Sequence, residues 1–440
     1  MPFETFKAPP RNIAVIGGGI SGMAAAHLLC GANRVVLFEA GARLGGHART
    51  VIAGRNGDQP VDTGFIVYNR SNYPHLSALF DELDVPVVPS DMSFGVSAAG
   101  GRIEYALHGL RSLFCQPRNA ADPRFLRMVA DIFRFNSKAL AACDDPGMTI
   151  RDLLARLRTG PWFRDYYLLP LSGAIWSTPV QGILDFPAHA LVEFLDNHNL
   201  LQHSGQHQWY TVKGGSARYV ERLEADLIRR GARIRTNAAV SAVHRVPGGV
   251  EITCAGGMPE QFDEVVMATH SDDSLALLAD ARPAEKVLLG AVRYQPNRAV
   301  LHRDTAVMPR RRRAWASWIY SEPAPLPEGA ARERIDLTYW MNSLQPIPHD
   351  DPLFVTLNTE RHIDEALIYD ETTFRHPVFD LAAIDAQSGI AARNGTDGTW
   401  FCGAWMRNGF HEDGFASAVA VRDAMLARDE KAQDGAVAAA

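Results

Sequence analysis

The chain has 440 residues, 47% hydrophobic and 21% charged, with a formal net charge of −6. That length suits two domains of ordinary soluble composition, and the mild acidity argues against nucleic acid as a partner. The cysteines Cys30, Cys115, Cys143, Cys254 and Cys402 are widely spaced without a C-x-x-C pair, which fits a reducing compartment and implies no metal site. Met1 to Arg11 lacks a signal-peptide core, and no apolar run approaches the ~18 residues of a membrane span. A cytoplasmic chain is expected, with peripheral contact at the inner face of a membrane left open.

The stretch Asn12 to Thr50 carries the first motif. Ile13–Ile16 is predicted as a buried strand; Gly17, Gly19 and Gly22 follow with the spacing G-x-G-x-x-G. A helix from Ser21 to about Leu29 and a second strand, Arg34–Phe38, lead to Glu39. This is the pattern of a dinucleotide-binding βαβ unit. Gly17 permits the tight turn, Gly19 lets backbone approach a pyrophosphate, and Gly22 lets helix and strand pack closely. The helix start offers free N–H groups to phosphate, and Glu39 can accept from a ribose diol. A second glycine-rich basic loop follows, Arg43-Leu44-Gly45-Gly46-His47-Ala48-Arg49-Thr50. With Glu39 it resembles the Glu-x-x-x-Arg-x-Gly-Gly motif of the flavin amine oxidase and phytoene desaturase superfamily. The resemblance implies FAD, with Arg43 and Arg49 facing the pyrophosphate and Gly45-Gly46 near the flavin.

Pro60 to Tyr68 reads as a strand and turn completing the cofactor site, with Asp62 and Gly64 bearing on the cofactor. Phe65 and Tyr68 fit either the substrate side or the core. A helix over Asn72–Leu83 and a hairpin within Val85–Leu107, broken at Gly100-Gly101, come next. Pro123 to Cys143 is predicted as a long helix with Phe125, Val129, Ile132 and Leu140 on one face. Arg124, Arg127, Arg134 and Lys138 gather on another with Asp131, a pattern open to an anionic bilayer or to an ordinary solvated face. Thr149 starts a helix to Leu157; Pro161 to Ser177 is rich in aromatics, and a helix runs from Phe186-Pro187 to His198. These apolar groups suit a substrate tunnel or a plain core.

Gln208 to Ser216 returns the chain to the cofactor domain, followed by a helix over Ala217–Arg230 and strands over Gly231–Val243 and Val250–Cys254. Phe262 to His270 is a buried strand ending at the cofactor, and Lys286 to Asn358 reads as strands and loops of a second sheet. Arg310 to Arg313, with Trp315 and Trp318 behind, suits lipid headgroups or a plain surface loop. Thr399 to Trp405 and Asn408 to Ala418 form a strand, a glycine and a helix start aimed at the flavin pyrimidine. Amine oxidases carry Gly-Glu at that strand end; this chain has Gly403-Ala404. The tail beyond Arg428 is expected to fray.

The resemblance extends over nearly the whole chain and implies an α/β fold. A Rossmann-type FAD-binding domain (1–70, 205–285 and 390–440) is interleaved with an α+β substrate domain of mixed sheet and helices (71–204 and 286–389). It places FAD on Gly17, Gly19, Ile20, Ser21 and Gly22, on Glu39, Ala40, Arg43, Leu44, Gly45, Gly46 and His47, and on Gly64 and Phe65. Val240 and Ala268 join them, with Gly403, Glu412, Asp413, Gly414, Phe415 and Ala418 at the C-terminal helix. The segments Asp62 to Asn69, Ala174 to Ser177, Trp209 to Ser216 and Gly409 to Gly414 are similar to a bacterial subgroup of NAD/FAD-binding proteins that accompany lipid methyltransferases. One of its member types is the flavin desaturase of furan fatty acid synthesis. That resemblance implies desaturation of a methyl-branched, phospholipid-linked acyl chain by hydride transfer to flavin N5. Glu412, His411 and His198 are candidates for the base, and Lys213 for a residue holding water near N5. An amine oxidase with a Trp176, Tyr210 and Trp405 cage is the alternative; a third is a flavin-binding accessory protein of a lipid methyltransferase.

Overall fold

The protein is described from a computed structural model covering residues 10–145, 147–176, 180–202, 207–322 and 335–439. Met1 to Pro9 and Ser177, on which the sequence reading drew, lie outside the described residues. Two sheets organise it. The first is parallel and five-stranded, in the order Arg233–Arg235, Arg34–Phe38, Asn12–Ile16, Glu264–Met267, Thr399–Phe401. Ile13 to Ile16 and Val265 to Met267 are buried on both faces, which is why these strands read as unbroken apolar runs. The order reverses about the first strand, so a crevice opens at the carboxyl ends.

The second sheet is mixed and seven-stranded, in the order Ile368–Val378, Arg293–His302, Phe354–Leu357, Leu337–Trp340, Trp318–Ser321, Phe94–Ala98, Ile103–Ala106. Its one parallel pair joins Trp318–Ser321 to Phe94–Ala98. A helical layer covers it: Pro123–Ala142, Ile150–Leu157, Leu169–Trp176 and Ala188–Asn197. Thr149 and Asp152 form a capping box at the second of these. The largest apolar cluster lies between this layer and the second sheet.

Several expectations change. Gly231–Val243 is two strands, Arg233–Arg235 and Val240–Val246, in different sheets, because Asn237 at φ 51° turns the chain between them. A helix, Pro283–Ala291, takes up the start of the Lys286 to Asn358 stretch, before the sheet strand Arg293–His302. The C-terminal helix runs from His411 to Ala439, and beyond Arg428 it is tied down by Asp429, which binds Arg11. On the Pro123–Ala142 helix, Asp131 is buried, accepting from the Gly160 N–H and from Arg134, while Leu140 is exposed. Its inner face is Phe125, Met128, Ile132, Phe135 and Ala139. Arg124 pairs with Asp122 and lies over Trp162, so part of the basic face is engaged within the molecule.

Candidate active site

The nucleotide cradle forms where the glycine turn leaves the first strand. Gly17 has φ 108°, and a Cβ there would lie 2.8 Å from the Ala268 carbonyl oxygen. A Cβ on Gly22 would sit 1.8 Å from the Gly17 carbonyl oxygen, so helix Ile20–Leu29 can close on the turn only with glycine there. Gly19 has open space beside it. Both Glu39 oxygens accept backbone N–H groups, Gly18 at 2.7 Å and Gly41 at 2.6 Å, and each keeps acceptor capacity for a ribose hydroxyl. Asn237 and Ala238 donate to the carbonyls of Gly41 and Glu39, which brings Val240 and Ala40 to the same end of the crevice.

The basic loop is built differently from expectation. Gly45 and Gly46 take positive φ and curl the loop, turning its carbonyls inward, where each requires a donor. Arg43 supplies them, bonding the carbonyls of Leu44, Gly46 and Ala48. Arg49 forms a two-pronged pair with Asp370 at 2.6 and 2.9 Å. Arg43 thus braces the loop and Arg49 ties it to the second sheet, and each guanidinium keeps N–H groups beyond those bonds. Asp62 is likewise structural. It is fully enclosed and accepts from Thr50, from the N–H and hydroxyl of Ser216 and from the Gln345 amide. Gly64 packs with its would-be Cβ 2.0 Å from the His47 carbonyl oxygen.

At the far side the C-terminal helix meets the first helix start to start. A Cβ on Gly414 would lie 2.8 Å from both Ile20 Cγ2 and Ser21 Oγ. The Gly403 N–H donates to Ser417, and Ala418 is buried within the turn that follows. Two helix N-termini therefore face one crevice, a positive pole suited to phosphate at one end and to a reduced, anionic ring at the other. Glu412 accepts the N–H groups of His75 and Leu76, capping the helix Pro74–Glu82, and Phe415 stacks on His75. Asp413 caps its own helix through the Phe410 N–H, and burial pushes its carboxyl up to about 6.

Between the two sheets lies a layer of imidazoles. His47 stacks on Phe374 at 4.9 Å, with His376 at 5.5 Å and His270 at 5.9 Å. Its Nε2 is buried with no hydrogen-bond partner among the described residues. His411 stacks on Phe65 at 3.9 Å and shares a 2.6 Å hydrogen bond with Tyr219. Burial holds all four uncharged: His47 and His270 are lowered to about 4, His376 and His411 to about 3. Sequence reasoning missed His376, Phe374, Tyr219 and Asp370. Each comes from an element whose relation to the crevice is set by sheet pairing, and no local motif marks them.

The substrate side starts at Phe410, one residue before the C-terminal helix. Phe410 stacks on Phe194 at 5.2 Å; Trp176 lies 4.8 Å from Phe194, and Phe186 continues the row. His198 lies on this row, 4.0 Å from Phe194. Its Nδ1–H donates to the Phe194 carbonyl at 2.9 Å, leaving Nε2 as the basic nitrogen, and burial lowers its pKa. Among the described residues no ring contact joins Trp176, Tyr210 and Trp405. Trp405 is buried against the first sheet and donates to the Thr269 carbonyl; Tyr210 lies beside Tyr68 and Arg70; Trp176 belongs to the helical layer. Lys213 is exposed on a glycine turn, outside this group.

A parallel sheet with a glycine turn, a ribose-binding acid and two converging helix starts defines an FAD-dependent oxidoreductase, and the open flank of Gly19 with the orphaned His47 nitrogen fits that cofactor. The flavin containing amine oxidoreductase family model matches residues 20–289, and the chain belongs to that family. No curated protein sequence matches it. Among solved structures, a CLA-producing fatty acid isomerase from P. acnes is 16% identical with a TM-score of 0.66, over 97% of this chain and 99% of that one. Cyclohexylamine oxidase from Brevibacterium oxydans is 16% identical with a TM-score of 0.65, over 95% and 100%. Putrescine oxidase bound to putrescine is 13% identical with a TM-score of 0.64, over 95% and 99%. At these identities the likeness is one of fold.

Proposed function

We propose that this oxidoreductase desaturates a methyl-branched unsaturated fatty acyl chain, carried on a phospholipid, as in furan fatty acid synthesis. The observation that carries the reading is the row Phe410, Phe194, Trp176 and Phe186, which leads from the positive pole of the crevice into the largest apolar cluster. An acyl chain matches such a lining, whereas the dispersal of Trp176, Tyr210 and Trp405 leaves an amine without the expected cage. The fatty acid isomerase among the structural neighbours is in keeping with it.

FAD, when bound, accepts the hydride that leaves the allylic carbon. The chain's own part is to hold the acyl segment between aromatic faces, to exclude water and to take up the neighbouring proton. We assign that proton to His198 Nε2. Its other nitrogen is committed to the Phe194 carbonyl and its ring stays uncharged. His198 is favoured over Glu412, whose oxygens accept two backbone N–H groups, and over His411, whose Nε2 is shared with Tyr219. One C–H pair leaves as hydride and proton, and the product gains a conjugated double bond. The methyl branch requires a lipid methyltransferase to act first.

The test is lipid mass spectrometry after expression with and without a lipid methyltransferase, joined to anaerobic titration of the purified flavoprotein. Methylated acyl lipid should bleach the flavin and yield a diene. Bleaching by a panel of amines, with peroxide on admitting oxygen, would replace this reading with an amine oxidase. Flavin left oxidised by every lipid, in a protein that co-purifies with the methyltransferase, would favour an accessory role.

A further inference from the structure

The edge of the second sheet remote from the crevice carries a separate feature. The hairpin joining Phe94–Ala98 to Ile103–Ala106 turns at Gly100 and Gly101, both at positive φ. Over this turn lies a cavity of about 420 Å³ lined by Gly100, Gly101, Arg102, Arg118, Arg310 and Arg311. Four guanidinium groups thus come from three separate segments: the hairpin turn, the short helix Pro117–Ala121 and the loop before Trp315.

The cluster is held in place. Glu104, fully buried, accepts the Arg310 N–H and pairs with Arg311, each at 2.9 Å. Gln116, also fully buried, donates to the Gly101 carbonyl and accepts from Arg118 Nε at 3.0 Å. Arg310 runs beside the turn, its Nε 3.5 Å from where a Gly101 Cβ would be. Glu104 answers one of the four charges; among the described residues no carboxylate pairs with Arg102, Arg118 or Arg310. Arg312, by contrast, lies over Trp315 and Trp340, at 3.7 and 4.9 Å from their ring centres, and takes no part. Three guanidinium groups without a carboxylate partner among the described residues line one concavity, and their planar forks match phosphate oxygens.

We propose that this cavity is a binding site for a phosphate ester. Two sources share that chemistry, a phospholipid headgroup and a soluble phosphate ester. Leu107 and Leu110, exposed at 38% and 75%, follow the far end of the same edge strand and add apolar surface to this edge. The site is distinct from the cofactor crevice. Six strand spacings, roughly 29 Å, separate this edge from the Ile368–Val378 strand that carries His376. It does not depend on the acyl-desaturase reading, because it stands on the far side of the sheet and on its own residues.

The experiment uses the flavin-loaded enzyme and its Arg102→Ala/Arg310→Ala double variant, two exposed side chains whose loss leaves Glu104 and Gln116 in place. Inorganic phosphate is titrated by calorimetry. Vesicles of phosphatidylcholine, with or without phosphatidylglycerol, are then sedimented with each protein at low salt. Saturable phosphate binding that is lost in the double variant supports the site. Binding to phosphatidylglycerol vesicles that weakens about fivefold per arginine removed, and falls with added salt, identifies the lipid source. Phosphate binding with both vesicle types ignored identifies a soluble ester. No response to either probe, or a response equal in wild type and double variant, overturns the proposal. Flavin content stays unchanged throughout.

Discussion

Replacing Asp62 with Asn tests how the cofactor crevice is clamped. The carboxylate lies where Thr50, Ser216 and Gln345 meet, and every group around it acts as a donor. Gln345 cannot turn its amide over, because its own oxygen accepts the Asp62 N–H at 2.9 Å. Asparagine keeps the volume, and its best orientation turns the NH2 toward the Thr50 and Ser216 hydroxyls while its oxygen keeps the Ser216 N–H and Gln345 bonds. What is lost is the bond from Ser216 N–H to the first oxygen and the charge on the acceptor, a loss of about 1–3 kcal/mol at neutral pH. Burial acts in the opposite direction on the native carboxylate, pushing Asp62 up to about 6 from 3.8. A folded value above the unfolded one means the folded state holds the extra proton in that window. The resulting stabilisation, about 3 kcal/mol, is present below pH 4 and is lost as pH rises through 6. Asp413 titrates in the same window but is common to both proteins, so it cancels in their difference. Urea unfolding of wild type and Asp62→Asn from pH 4 to 8, followed by circular dichroism and flavin release, reads both effects. The variant should be weaker at every pH, and the gap should narrow between pH 4 and 6. Equal stability at pH 7.5, or parallel pH profiles, would refute the reasoning.

Four further outcomes follow from the same geometry. Gly22→Ala places a methyl 1.8 Å from the Gly17 oxygen, so the purified protein should lack the visible absorbance of bound flavin. His198→Gln should lower kcat by about 10²–10⁴ with flavin content unchanged. It should also abolish an acid limb lying below the ordinary imidazole range in the wild-type pH profile. Glu412→Gln removes a charge from the start of the Pro74–Glu82 helix and should cost about 1–2 kcal/mol of stability while kcat holds; a collapse of kcat would restore it as the base. Lys213→Ala, on an exposed turn, should leave the rate of flavin reoxidation by oxygen at the wild-type value.

The cofactor fold was legible because its signals are local. Gly17, Gly19, Gly22 and Glu39 sit within one strand–turn–helix–strand unit, where short-range sterics dictate residue type, and the strands beside them are buried on both faces. Local reasoning did not show the protein partners of the polar groups it singled out. Arg43 bonds the carbonyls of its own curled loop, and Arg49 pairs with Asp370, distant in sequence. Both Glu412 oxygens accept N–H groups of the helix that starts at Pro74. Asp131 read as one member of a charged helix face, yet it is buried against Gly160.

The imidazole layer and the aromatic row show where local reading ends. His47 and His411 lie at opposite ends of the chain, and His376 comes from a strand of the other sheet. Only sheet pairing and the meeting of two helix starts bring them together. The sequence by itself determined an FAD site, because a turn that approaches a pyrophosphate tolerates glycine and little else, and that demand is written in consecutive residues. Which polar groups remain free for chemistry was decided by the tertiary structure alone. A buried donor or acceptor takes whichever partner the packing delivers, and here it delivers partners to Glu412, Arg43, Arg49 and Asp62, while among the described residues the Nε2 of His198 has none.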